Sequence, residues 1–283
     1  MAVATIAEIQ QRFAQGKGFF IPAVTSTPGA ATAAAAASGQ LSVQILVNNI
    51  GTTLPGTRVS LPIPPSPGSP LMLTEAGISR NTAGALFLVY LYRMGSVNLA
   101  ATGDQFTANS ATFPILRTEF GESSKPVTLT PMIYIDDAGT ATAPVFSLKT
   151  NAGGAGYVDQ DGNSTAATRT MTMPSATANV QSGYIFRLND GDSGVQSISQ
   201  VDVDTASGSA ATGVIFGIEF LADITHILVG TSVANLMVNG IALGDLKPGV
   251  ATSGTATATL AILSIGTISS TAAFAALAGV LDS

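Results

Sequence analysis

The sequence predicts a mainly β protein: an antiparallel β-sandwich or jelly-roll-like body with short N-terminal and C-terminal helices and an extended uncharged arm. Three observations predict it. After residue 71, runs of β-branched and aromatic residues recur, among them GALFLVYLY, PVTLTPMIYI, GYIFRL and TGVIFGIEFL, separated by turn chemistry at Asp137-Ala-Gly139, Asp161-Gly162 and Asn189-Asp190-Gly191. Strand periods alternating with helical periods are missing, which disfavours a doubly wound α/β fold. Charged residues make up only 10% of the 283-residue chain, against roughly 25% in ordinary soluble domains.

The N-terminus opens on Thr5-x-x-Glu8, a capping box, with Ile6, Ile9 and Phe13 at helical spacing ahead of Gly16. This predicts a short amphipathic helix over residues 6–15. Residues 18–57 carry no charge and include the low-complexity run 30–37. Such a segment reads as an arm that lies along another surface, not as an independent domain. Within it Leu41, Val43, Ile45 and Val47 alternate, so residues 40–47 can join a sheet. Six of the fourteen prolines fall between Pro55 and Pro70. Proline fixes φ and lacks an amide proton, so this stretch is expected to be an extended connector or edge and marks the first boundary. The expected organisation is therefore 1–74 for helix, arm and connector, 75–249 for the β-rich body, and 250–283 for a C-terminal strand and helix. That strand is expected over residues 256–268. The helix is expected over residues 271–281, where Phe274, Leu277 and Leu281 form one stripe.

Composition also removes whole classes of function. Without cysteine the chain has no disulfide scaffold, thiolate zinc site, iron–sulfur ligation or cysteine nucleophile. The apolar stretches, such as residues 83–92 and 214–221, are far shorter than the roughly 20 residues of a membrane-spanning helix, and no membrane partner is expected. Glu8 precedes Arg12 and no basic region stands before an apolar stretch, so a secretory signal is not expected. The net charge is −6, with five basic and two acidic residues in 1–100 and six basic and fifteen acidic in 101–283. No basic cluster is present, so sequence-specific nucleic-acid binding is not expected. The asymmetry allows the N-terminal part of one subunit to approach the acidic part of a neighbour; scattered, solvated charge is the alternative.

Local motifs carry little chemistry. Gly191-Asp192-Ser193-Gly194 resembles the nucleophile segment of trypsin-like serine proteases. That reaction needs a histidine base, and the single histidine, His226, lies downstream of the serine where those enzymes place it upstream. Val195-Gln196 also replaces their continuing glycine-proline, so a tight turn is the simpler expectation. Asp159-Gln160-Asp161-Gly162-Asn163 resembles the start of an EF-hand loop, but Ser164 and Thr170 stand where its glycine and bidentate glutamate are required. Asp190-x-Asp192 and Asp202-x-Asp204 repeat the carboxylate spacing, and residues i and i+2 share one face of a strand. Asp159, Asp161, Asp190, Asp192, Asp202 and Asp204 are thus the candidate ligands for a structural Ca²⁺ or Mg²⁺, with solvated turn carboxylates as the default. Gly153-Gly-Ala-Gly156 lacks the strand and helix of a dinucleotide site. Glu119 and Glu122 carry no further glycosidase signal. No catalytic residue, cofactor or enzymatic activity is expected.

The remaining features point to assembly. A charge-poor chain rich in Thr, Ser, Ala and Gly can bury neutral surface against copies of itself at little desolvation cost. An initial short helix, an uncharged arm, a proline connector and a β-rich body resemble, over the whole chain, tailed-bacteriophage virion structural proteins of the capsid decoration, cement or minor capsid type. The resemblance implies a homo-oligomer, trimeric in many decoration proteins, located in the virion on or within the capsid, with copies of itself and other shell proteins as partners. A major capsid or tail-tube subunit is the alternative within that class. A receptor- or carbohydrate-binding β-sandwich is the alternative outside it, weakened by the absence of tryptophan and the presence of only five tyrosines.

Overall fold

A computed structural model describes residues 10–11, 14–15, 18–25, 42–48, 71–79, 85–109, 113–114, 116–117, 125–137, 142–173, 183–223, 234–236, 241–243, 258–265 and 273–281. The strands, in chain order, are β1 (Gly18–Thr25), β2 (Ser42–Asn48), β3 (Leu71–Ser79), β4 (Ala85–Asn98), β5 (Gly103–Asp104), β6 (Phe106–Ala108), β7 (Leu116–Arg117) and β8 (Lys125–Pro126). They continue with β9 (Thr130–Asp137), β10 (Val145–Ser147), β11 (Tyr157–Asp159), β12 (Ser164–Thr165), β13 (Met171–Thr172), β14 (Gly183–Ile185), β15 (Val195–Ile198) and β16 (Asp202–Thr205). The last are β17 (Thr212–Asp223), β18 (Ala234–Leu236), β19 (Ile241–Leu243), β20 (Ala258–Ile265) and β21 (Ala273–Leu281). The protein is mainly β, and the pairings among these strands are antiparallel.

The largest sheet closes on itself. β4 pairs with β17, β17 with β9, β9 with β14, β14 with β2, β2 with β20, and β20 again with β4. An even number of strands lets an all-antiparallel ring close without a mismatched pair, and closure removes the free edges. β4 can serve two neighbours because it is long: β20 takes residues 85–92 of one edge, and β6 takes residues 95–97. Strand periodicity fills the interior. Phe87, Val89 and Leu91 of β4 meet Met132 and Tyr134 of β9, Ile185 of β14, Val214, Phe216 and Ile218 of β17, and Leu263 of β20 in one cluster.

The opposite face of three of these strands is buried as well, at Tyr92, Met94, Ile133, Ile135 and Ile215. This is why the sequence there reads as continuous apolar runs instead of alternating ones. Gly217 makes room on that face, since a Cβ on it would lie 2.6 Å from Leu129 Cδ1. The cover consists of smaller sheets built from the long excursion between β4 and β17, in the orders β13–β10–β16–β5 and β12–β11–β15. Leu129 and Val195 exchange backbone hydrogen bonds of 2.8 and 2.7 Å, tying this cover to the start of β9. Phe146 and Phe186 pack edge to face with ring centroids 5.7 Å apart.

A second sheet has the order β1–β21–β3, with β18 and β19 both against β3. The chain threads between the two sheets repeatedly: β1, β3, β18, β19 and β21 belong to the second sheet, whereas β2, β4, β17 and β20 belong to the ring. The expected strand at residues 40–47 is β2, and that at residues 256–268 is β20. β3 runs across position 74–75.

The expected C-terminal helix is corrected by β21, which is a strand over Ala273–Leu281. Alanine favours helix, and Phe274, Leu277 and Leu281 fit a helical stripe, but no side chain between residues 273 and 281 is polar. A surface helix of that composition would have no solvated face. A central strand needs none, and β21 is paired by β1 on one edge and β3 on the other. Of the expected N-terminal helix, the described residues 10–11 and 14–15 include helical positions, with Gln15 N donating to Gln11 O at 3.0 Å; its other residues, the low-complexity run 30–37 and the proline-rich stretch 55–70 lie outside the described residues. No helix among the described residues is long and apolar enough to cross a membrane.

Candidate functional site

The candidate carboxylates sit at the ends of the small covering sheets, where tight turns place them. β11 and β12 form a hairpin whose loop is Asp159-Gln160-Asp161-Gly162-Asn163. Gly162 adopts φ +87°, which the turn requires. Asp159 Oδ1 accepts the backbone amides of Asp161 and Asn163, each at 2.8 Å, and the Asn163 side-chain amide lies 3.1 Å from Oδ2. These donors, the Asn163 amide foremost, outweigh burial and hold the Asp159 carboxyl below its usual range. The residue therefore closes its own turn, and the oxygens a cation would need are already engaged. Asp161 is exposed and accepts Gln160 Nε2 at 3.0 Å.

The second acidic turn lies beside the first. Asp192 N donates to Asn189 O at 3.1 Å across Gly191, whose φ is +101°. Tyr157 of β11 donates its hydroxyl proton to Asp192 Oδ2 at 2.5 Å. Burial first, and this hydrogen bond second, push the Tyr157 phenol up to about 12. Asn189 fastens the turn: its Oδ1 accepts the amide and the hydroxyl of Thr168, each at 2.9 Å, and its Nδ2 donates to Ala166 O at 2.9 Å. Asp190 instead pairs with Arg169 Nη2 at 2.7 Å on the open surface, so Asp190 and Asp192 do not converge on one point. Gln160 joins the two turns, accepting from Ser193 N at its Oε1 and from Gln196 Nε2 at its backbone oxygen, each at 3.0 Å.

Asp202 and Asp204 share one face of β16, as their spacing predicts. The position between them is taken by a side chain: Lys149 Nζ lies 3.6 Å from Asp202 Oδ2 and 3.1 Å from Asp204 Oδ1. Asp104 on β5 is the register partner of Asp202 and accepts Asn151 N at 2.7 Å. Hydrogen bonding to Asp204 raises the Lys149 ammonium above its ordinary value. Asp202, with only 4% of its side chain exposed, is also raised, because burial outweighs the attraction of Lys149.

The other motifs resolve into turns or fall elsewhere. Gly191-Asp192-Ser193-Gly194 belongs to the second acidic turn, and a Cβ on Gly194 would lie 2.8 Å from Leu129 O, so glycine there permits the close approach of two backbones. Gly153-Gly-Ala-Gly156 closes the turn between Lys149 and Ala155, with Gly153 N donating to Thr150 O at 2.8 Å. His226, Glu119 and Glu122 lie outside the described residues. Among the described residues, no group of three or more histidine or acidic side chains is placed to hold a metal ion.

The structure thus brings the Asp159–Asp161 turn beside the Asp190–Asp192 turn and keeps Asp202 and Asp204 in a separate sheet. Sequence reasoning missed Gln160, Asn189 and Lys149, the groups that organise both clusters. Only Asn189, in an Asn-Asp-Gly turn, left a local signal; the partners through which Gln160 joins the two turns, and the aspartates of Lys149, are more than 30 residues away in sequence. Comparison with protein-family models, curated proteins and solved structures finds no match to the chain.

Proposed function

We propose that the chain is a structural subunit of a tailed-phage virion, assembling as a homo-oligomer on or within the capsid and reinforcing the shell, without enzymatic activity. The observation that carries this reading is the distribution of charge over the fold. The two charge-free segments of the sequence, residues 18–57 and 248–281, are each other's partners twice: β1 pairs with β21 in one sheet and β2 with β20 in the ring. Four strands without a charged residue bring no ionic desolvation cost to whatever pairs with or packs against them, within the chain or in a neighbouring copy. The acidic residues support a non-catalytic role, since the buried Asp159 and Asp202 are engaged by turn amides and by Lys149, and the half-buried Asp192 by Tyr157.

The β-rich body, read more finely as sandwich-like, suits a rigid shell component, because closed and interlocked sheets resist local opening. The test is the mass of the purified protein in solution together with its content in intact particles. An oligomer in solution and a stoichiometric particle component are expected; a monomer absent from particles overturns the reading. Deleting residues 1–39 removes β1 and leaves all six ring strands. The truncated protein is expected to keep a folded β core, by circular dichroism, while losing particle attachment. Undiminished attachment would refute a role for this segment. Specific micromolar binding on a glycan array, with no particle association, would favour the carbohydrate-binding module.

A further inference from the structure

The N-terminal strands are held almost entirely by the C-terminus of the chain. β1 pairs along its whole length with β21, from Gly18 opposite Val280 to Thr25 opposite Ala273. β2 pairs with β20 over Val43 to Asn48, and with β14 only at Ser42 and Val43. β20 and β21 therefore form the receptor, and β1 and β2 the arm that it receives. Their recognition is a backbone ladder between uncharged strands, so it contains nothing that distinguishes the arm of one copy from the arm of another. The link from the arm to β3 is residues 49–70, and six of its 22 residues are proline. Connections inside compact domains usually run to about 4–6 residues, whereas an extended proline-rich chain rises about 3.1 Å per residue and acts as a semi-rigid spacer. At that rise a sequence of 22 residues can span at most on the order of 70 Å, a length sufficient to reach a neighbouring molecule.

We propose that in the assembled protein the arm, β1 with β2, is exchanged between copies: the arm of one chain occupies the β20–β21 receptor of its neighbour, in the same register that it has within one chain. The proposal rests on the homo-oligomer reading above and adds how the copies are joined. The exchange makes no new kind of contact, replaces each hydrogen bond by its equivalent, and turns the uncharged arm into an intersubunit clasp.

The absence of cysteine permits a direct test in the full-length chain. Ala23→Cys with Ala275→Cys, and Val24→Cys with Phe274→Cys, place thiols at successive register pairs. Successive antiparallel pairs alternate in spacing, so one of the two falls in the closer class suited to a disulfide. After oxidation of the assembled protein, non-reducing electrophoresis reads the connectivity. Covalent dimers and higher ladders are expected, together with covalent dimers from a co-assembled mixture of the Ala23→Cys and Ala275→Cys single variants. Disulfides confined within one chain in a protein that is oligomeric by light scattering would overturn the exchange and leave the oligomer reading standing. A monomer by light scattering would overturn both. Failure of both pairs to oxidise in an oligomer would remove the β1–β21 register, and the exchange with it.

Discussion

At the scale of single residues, the polar groups of this protein are spent on geometry. Asp159 satisfies the amides of its own hairpin, Asn189 fastens the neighbouring turn to Thr168 and Ala166, and Lys149 bridges Asp202 and Asp204. Tyr157 gives the clearest pH signature. Its folded value, about 12 against an ordinary 10.0, lies above that of the unfolded chain, so its contribution to stability is complete below pH 10 and is lost as the pH rises through about 12. The stability of the wild-type protein should fall across that window, and Tyr157→Phe should flatten the fall, measured by urea denaturation at a series of pH values. Ser147 makes the opposite kind of prediction. Its hydroxyl is buried and lacks a hydrogen-bond partner, and an unsatisfied buried polar group costs about 1–3 kcal/mol. Ser147→Ala should therefore raise stability by about 1 kcal/mol, seen as a higher urea midpoint with an unchanged slope.

Elements show where local preference decides and where pairing overrides it. β4 and β17 were legible in the sequence because their apolar runs are long, β-branched and aromatic, and both faces are buried. β2 was legible because Leu41, Val43, Ile45 and Val47 alternate. β21 was not: its alanines and its helical stripe point to a helix, and only the flanking strands β1 and β3 make the extended form the better solution. The carboxylate pairs behave likewise. The shared face of Asp202 and Asp204 follows from strand geometry, but the arrival of Lys149 depends on the pairing of β10 with β16. The ring interior gives a test at this scale. Phe216 is 1% exposed and packed in the central cluster, so Phe216→Ala should cost about 3–5 kcal/mol, measured by chemical denaturation.

For the whole molecule, the main consequence is topological. The chain passes back and forth between the ring and the second sheet, with β2 and β20 in one and β1, β3 and β21 in the other. Neither sheet can be completed from a continuous stretch of sequence, and both need residues 258–281. Calorimetry should therefore show one cooperative unfolding transition for the two sheets, and deletion of residues 258–283 should abolish it. Two separate transitions would contradict the interlocked arrangement. The mainly β character, the turns at Asp161-Gly162 and Asn189-Asp190-Gly191, and the two segments without charge follow from residue order alone, because strand alternation, turn chemistry and charge are properties of neighbouring residues. Long-range pairing sets the rest: strands of the two charge-free segments pair with each other, the ring closes, and Asp192 and Asp202 are met by Tyr157 and Lys149. Those outcomes depend on hydrogen-bonded register and burial between residues up to about 260 positions apart, and no local pattern carries that information.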